Sequence, residues 1–201
     1  MKMAALVVLV SGNGSNLQAI LDAVQEGTLP AEVRAVISNK KDAYGLERAR
    51  QAGIPALVKP KYKAQEREVY DAELAELAAG YRPDWVILAG WMRVLTMPFI
   101  GRFPRRIINL HPALPGMFAG VNAIERAYQA FQQGEICHTG VMVHYVLDEG
   151  VDVGPVLNQR IVAIAPDDTL QDLERSVHAC EHALLVETIH QLIQQTEEDH
   201  A

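Results

Sequence analysis

Two kinds of apolar spacing alternate along the first half of the chain. Residues 4–10 form an unbroken apolar run, Ala-Leu-Val-Val-Leu-Val after Ala4, as expected of a parallel strand covered on both faces. Residues 33–38, 55–59, 85–89 and 107–110 read as further strands of the same kind. Between them lie segments with helical spacing, residues 16–25, 45–52 and 66–79, the last with Val69, Leu74, Leu77 and Ala78 as its apolar positions. Each stops at a glycine: Gly27 (with Pro30 beyond it), Gly53 and Gly80. Repeated strand–helix–strand order implies right-handed crossovers and a doubly wound sheet.

The second half changes character. Residues 140–146 and 156–164 are longer strands around a glycine-containing turn, which predicts an antiparallel pair. Residues 169–195 read as one long helix with Asp168 or Thr169 as its N-cap, and the polar tail 196–201 is expected to fray. The expectation is an α/β fold with a doubly wound, mostly parallel sheet, an antiparallel C-terminal strand pair and a long C-terminal helix. No repeat, low-complexity tract or linker interrupts it, so residues 1–201 are expected to form a single domain.

Composition narrows the partners. With 49% hydrophobic and 21% charged residues the chain can bury a sizeable core, and its net charge of −7 argues against nucleic acid. The start, Met1-Lys2-Met3 and a short apolar run, does not read as a signal peptide, and no apolar run approaches the roughly 18–20 residues that cross a bilayer. Two cysteines, Cys137 and Cys180, cannot build a disulfide framework, so a cytoplasmic, reducing setting is expected.

Candidate chemistry sits at the strand ends. Ser11-Gly12-Asn13-Gly14-Ser15-Asn16-Leu17 joins the first strand to the first helix, where doubly wound sheets bind ligands. Gly12 and Gly14 allow close backbone approach, and Ser15 and Asn16 can cap the helix and hydrogen-bond an anion. A dinucleotide fingerprint would need a glycine where Leu17 stands, and a nucleotide-hydrolase loop would need Gly-Lys-Ser/Thr. A capped turn with no ligand is the structural alternative. Asn109-Leu110-His111-Pro112 follows the fifth strand; alternation puts Asn109 and His111 on one side, and Pro112 ends the strand. A carboxamide beside an imidazole suits a developing oxyanion, and Asp152, in a glycine-flanked turn, could pair with His111 and raise its pKa.

Four stretches, 11–17, Ala-Gly-Trp-Met-Arg-Val-Leu at 89–95, 109–112 and Asp-Glu-Gly-Val-Asp-Val-Gly-Pro at 148–155, resemble in order and spacing the folate-dependent glycinamide ribonucleotide transformylase family. The resemblance covers nearly the whole chain. It implies a Rossmann-like formyltransferase that moves the formyl group of 10-formyltetrahydrofolate to the amine of glycinamide ribonucleotide in purine synthesis, by direct attack and without a metal. It implies that Gly14, Ser15 and Asn16 hold the substrate phosphate and that Glu181 contacts the ribonucleotide. Met92, Arg93, Val94 and Leu95 would line the folate pocket, with Arg67 and Asn109 beside it. Asn109 and His111 would stabilise the tetrahedral intermediate, with Asp152 keeping His111 protonated and assisting proton transfer to the leaving N10.

The chain departs from the family pattern in places. Asn122 stands where many members have a histidine, three residues are added on a peripheral helix between Ala123 and Gly134, and one is inserted between His144 and Asp152. His178 and His182 lie one turn apart on the last helix, but Cys180 faces elsewhere and no second ligand cluster accompanies them, so no metal is expected. Arg48 and Arg50 read as a solvated helix face, Trp85 as core, and Trp91 as a border of the folate pocket; His144 orients the catalytic loop or merely packs. Formyltetrahydrofolate deformylase and methionyl-tRNA formyltransferase are the near rivals, and their extra regulatory or basic RNA-binding domain does not fit this length and charge. A module that kept the fold and lost catalysis would show a damaged Asn–His–Asp trio, and the trio is intact. The oligomeric state is not legible, which leaves a homodimer open.

Overall fold

The computed structural model describes residues 3–198; the starting Met1-Lys2 and the tail 199–201 lie outside them. Seven strands form one sheet in the order β3-β2-β1-β4-β5-β6-β7. Strands β1 (Ala4–Val10), β2 (Ala31–Ser38), β3 (Ala56–Val58), β4 (Trp85–Leu88) and β5 (Ile107–His111) are parallel; β6 (His138–Tyr145) runs antiparallel to β5 and to β7 (Val156–Ala163). The expected antiparallel pair is therefore present, and β6 also pairs antiparallel with β5, which joins the second half to the parallel sheet.

Every residue of β1 is buried, because helices cover both faces. Its Leu6, Val8 and Val10 pack with α1 (Ser15–Gln25), α5 (Ala123–Gln132) and α6 (Leu170–Glu198). Its Val7 and Leu9 pack on the other side with α3 (Arg67–Ala79) and α4 (Met97–Ile100). Each such side chain removed from water contributes roughly 1.5–3 kcal/mol. The remaining helix, α2 (Tyr44–Gln51), leans on the sheet edge through Ala49.

Several expected boundaries shift for identifiable reasons. In α3 the expected Leu74 and Ala78 are buried and Leu77 is half-buried, but Val69 is exposed, and Tyr70 and Ala75 complete the core face instead. The short α4 was not foreseen; Asp71, buried on α3, accepts both the N–H and the hydroxyl of Thr96 at 2.8 Å and so sets its start. Thr169 caps α6 in a reciprocal box with Asp172. The helix continues unbroken through 196–198, where fraying was expected. Among the described residues no helix is long and apolar enough to cross a membrane.

Candidate active site

The chain leaves β1 in one direction along the sheet and β4 in the other, and at such a switch point the loops diverge and open a crevice. The loop after β1 and the loop after β4 flank it. Ser11 stitches them together: its N–H donates to the Gly90 carbonyl at 3.0 Å, its hydroxyl donates to Asn39 Oδ1 at 2.6 Å, and its Oγ accepts the Met92 N–H at 2.9 Å. Ser11 is 2% exposed, and nothing in its motif position distinguished this bridging role from a plain loop serine.

Gly14 is the N-cap of α1 at φ 76°, with no side-chain cap. Ser15 and Asn16 are thus the first two helical residues rather than caps, and their backbone N–H groups belong to the unpaired first turn that attracts anions. The buried Asn16 Oδ1 has no partner. Gly14 packs so tightly on α2 that a Cβ would stand 2.6 Å from the Gly45 Cα. Arg48, expected on a solvated face, instead braces this loop: it donates to the Asn13 carbonyl at 3.0 Å, Asn13 Oδ1 at 2.9 Å and Gln18 Oε1 at 2.9 Å. Arg50 matches expectation, exposed and, among the described residues, paired with Glu47.

A cavity of about 420 Å³ opens on the β4 side, between the 90–95 loop, the ends of β5 and β6, and the start of α5. Met92, Arg93, Val94, Leu95 and Asn109 line it, as do His111, Asp152, Trp91 and Asn122. Its wall at the 92–95 loop is held from behind by α3, where Arg67 donates to the Val94 carbonyl at 3.2 Å and Tyr70 lies under the Arg93 guanidinium. Burial pushes the Tyr70 phenol up to about 12, so it stays neutral there. Arg67 itself lies outside the lining, as do Gly14, Ser15, Asn16 and Glu181.

Asn109 and His111 share one side of β5, as alternation requires. Register with β6 sets Asn109 opposite His144. The loop 146–155, which ends beside a register shift between Val143 and His144 in the β6–β7 pairing, swings Asp152 over this pair with φ 55°. Asp152 Oδ2 stands 3.3 Å from His111 Nδ1 and accepts the Gly120 N–H at 2.8 Å; its Oδ1 accepts from Asn109 Nδ2 at 3.0 Å. The loop is pinned at its other end, where Glu149 accepts the Met97 N–H at 3.1 Å.

His144 is more than packing. Its Nδ1 lies 2.9 Å from the Tyr145 carbonyl, which can only accept, so Nδ1 carries a proton; its Nε2 lies 3.1 Å from Asn109 Nδ2 and 3.5 Å from Asp152 Oδ1. Asn109 Nδ2 thus donates to Asp152 and faces the His144 ring. Burial raises the Asp152 carboxyl, but the His144 ring, the Gly120 N–H and the neighbouring His111 together bring it below its ordinary range. Burial lowers His111, and Asp152 and the Phe118 carbonyl only partly offset it. Asp152 therefore raises the pKa of His111 as expected, but burial outweighs it and the net direction is downward, which runs against the expectation that the ring stays protonated; among the described residues its Nε2 has no partner.

Glu181 is buried on α6 and takes a 2.6 Å hydrogen bond from His178 Nδ1, which together with the nearby charge of Glu174 and Glu125 raises His178 against its desolvation. Burial, and after it the charges of His178 and Arg48, lower His182. The 178–182 turn is therefore a carboxylate held by an imidazole, within reach of the charge on Arg48. Among the described residues no group of three or more His, Cys, Asp or Glu side chains is arranged to hold a metal ion.

A glycine-started helix at a switch point, beside a cavity with a carboxylate–imidazole–carboxamide cluster, suits acyl transfer to a small anionic substrate. Residues 4–189 match the formyl transferase family, and the chain belongs to it. It is 49% identical to the phosphoribosylglycinamide formyltransferase of Schizosaccharomyces pombe, over 95% of this chain and 98% of that one, and 44% identical to that of Escherichia coli, over 89% and 82%. Glycinamide ribonucleotide transformylase 1 from Symbiobacterium toebii superposes with a TM-score of 0.89 at 43% identity, covering 96% of this chain and 89% of that one.

Proposed function

We propose that the protein transfers the formyl group of 10-formyltetrahydrofolate to the amine of glycinamide ribonucleotide in the cytoplasm. The observation that carries this reading is the Asp152 carboxylate 3.3 Å from His111 Nδ1 at the cavity walled by the 92–95 loop. Its partners by resemblance and similarity are a folate donor and a phosphorylated amine, and the two regions of the crevice suit them. The apolar and main-chain groups of 92–95 receive the donor, with Arg67 holding that loop. The α1 N-terminus at Gly14, Ser15 and Asn16 receives the phosphate, and Glu181 receives the sugar or the amine.

The amine attacks the formyl carbon, a C–N bond forms, and the carbonyl oxygen becomes an alkoxide. One Asn109 N–H passes from Asp152 to that oxygen as charge develops. The neutral His111 Nε2 takes a proton from the attacking nitrogen, and the imidazolium so formed is stabilised by Asp152. It returns the proton to N10 as the C–N10 bond breaks, leaving tetrahydrofolate and the formylated amide. No bond to the protein forms at any step.

The test is formyl transfer between those two substrates by the purified chain. Turnover is expected. Binding of both substrates with no transfer would favour a module that has lost catalysis, and release of formate alone would favour a deformylase.

A further inference from the structure

The connection from β5 to α5 is the most contorted stretch of the chain. Gly116, Phe118, Gly120 and Asn122 all have positive φ, 78°, 47°, 85° and 56°. Glycine accepts this freely and asparagine tolerates it, but a phenylalanine held there is an outlier that surrounding contacts must enforce. The enforcing group is Arg126, one turn into α5. Its Nη2 donates to the Phe118 carbonyl and, at 2.7 Å, to the Ala119 carbonyl, and its guanidinium lies 5.9 Å over the Phe118 ring.

The other side of the same segment meets the reacting pair. The Gly120 N–H donates to Asp152 Oδ2, the oxygen that faces His111 Nδ1, and the Phe118 carbonyl borders the His111 ring. Asp152 is itself in left-handed backbone, so two strained segments hold each other through one 2.8 Å hydrogen bond. The charged and titratable groups facing this contact are Asp152, His111 and His144, with Arg126 behind them.

We propose that Arg126 is a positioning residue for formyl transfer: by clamping the Phe118 and Ala119 carbonyls it presents the Gly120 N–H to Asp152 and fixes that carboxylate against His111. This rests on the assignment of His111 and Asp152 made above. Both bonds leave the one Nη2 nitrogen, whose two N–H groups are held in the guanidinium plane beside the Phe118 ring; a lysine ammonium can reach the same carbonyls but without that fixed plane, so lysine recovers only part of the effect.

The experiment measures steady-state formyl transfer and thermal melting for Arg126→Met and Arg126→Lys, with Arg126→Met also placed in an Asp152→Asn background. Misplacing a reacting group by about 1 Å can cost on the order of 100-fold, so Arg126→Met should lower kcat by roughly 10- to 100-fold. Both KM values should stay close to wild type, and Arg126→Lys should regain part of the loss. In the Asp152→Asn background the same change should cost little, because residues acting through one another are not additive. An equal loss in both backgrounds, or a loss confined to KM, overturns the proposal. Should Arg126→Met fail to melt cooperatively, Arg126→Lys decides, and a folded lysine variant with wild-type kcat overturns it. Full activity of Asp152→Asn alone would remove the site reading itself, a result obtained without touching Arg126.

Discussion

The loop after β1 and the cluster on β5 and β6 share one edge of one sheet and are built in opposite ways. The first is a contiguous run, Ser11 to Asn16, whose geometry follows from a left-handed glycine and a helix that starts beside it. The second gathers Asn109 and His111 from one strand, His144 from the next, Asp152 from a loop and Gly120 from another, with the Asn109–Asp152 bond joining residues 43 apart in sequence. A local run can be shaped by its own backbone preferences. A dispersed cluster exists only while strand register and two strained loops hold, so its chemistry is more exposed to change at a distance.

The largest expected effect lies in the dispersed cluster. Asp152→Asn keeps the size of the side chain and removes the charge that stabilises a protonated His111, and proton-transfer groups contribute about 10²–10⁴-fold. A kcat reduced within that range with unchanged melting is expected from single-turnover or steady-state assays, and an unchanged kcat would dissolve the cluster's distinction from the first loop. The next effect is in the loop itself. Left-handed backbone costs a non-glycine residue roughly 1–2 kcal/mol, and a Gly14→Ala methyl would also meet the Gly45 Cα at 2.6 Å. The variant should raise the KM for the phosphorylated substrate by roughly tenfold, the equivalent of about 1.4 kcal/mol, while kcat changes far less. Equal losses in kcat for Gly14→Ala and Asp152→Asn would erase the division of labour.

The smallest effect concerns pH. Burial lowers His111, so the neutral ring persists to a pH below the ordinary imidazole value, and protonation removes the proton acceptor only under more acidic conditions. The acid limb of kcat/KM should therefore lie below the ordinary histidine range. The same sign holds for stability: the unfolded chain takes up the proton first, so this group's contribution falls as pH drops through that window. A limb lying above the ordinary range would show instead that Asp152 outweighs burial.

Much of this was legible from residue order alone. The unbroken apolar run of β1, the glycines that end α1 and α2, and the alternation that puts Asn109 and His111 together are local properties, and each appears where the spacing put it. Local too is the cap at Thr169, resolved between two neighbouring candidates by its bond to Asp172. Arg48 and Arg126 were not legible: one sat in a helix segment that reads as solvated, the other on a face with no motif, and both act on main-chain carbonyls that sequence does not display. The burial of Tyr70 in place of Val69 on α3 has the same origin, since Tyr70 and Asp71 are buried by what lies above them, the 93–96 loop.

The sequence by itself therefore determined the alternation of strands and helices, the glycine-led loop and the candidates for the reacting side chains, because each depends on backbone preference or side-chain chemistry within a few residues. Only the tertiary structure decided the lowering of the His111 pKa by burial, the bond from Asn109 to Asp152 and the bracing of two loops by arginines. Those depend on burial, and on groups tens of residues away meeting within 3 Å or so, where the balance between desolvation and hydrogen bonding is set.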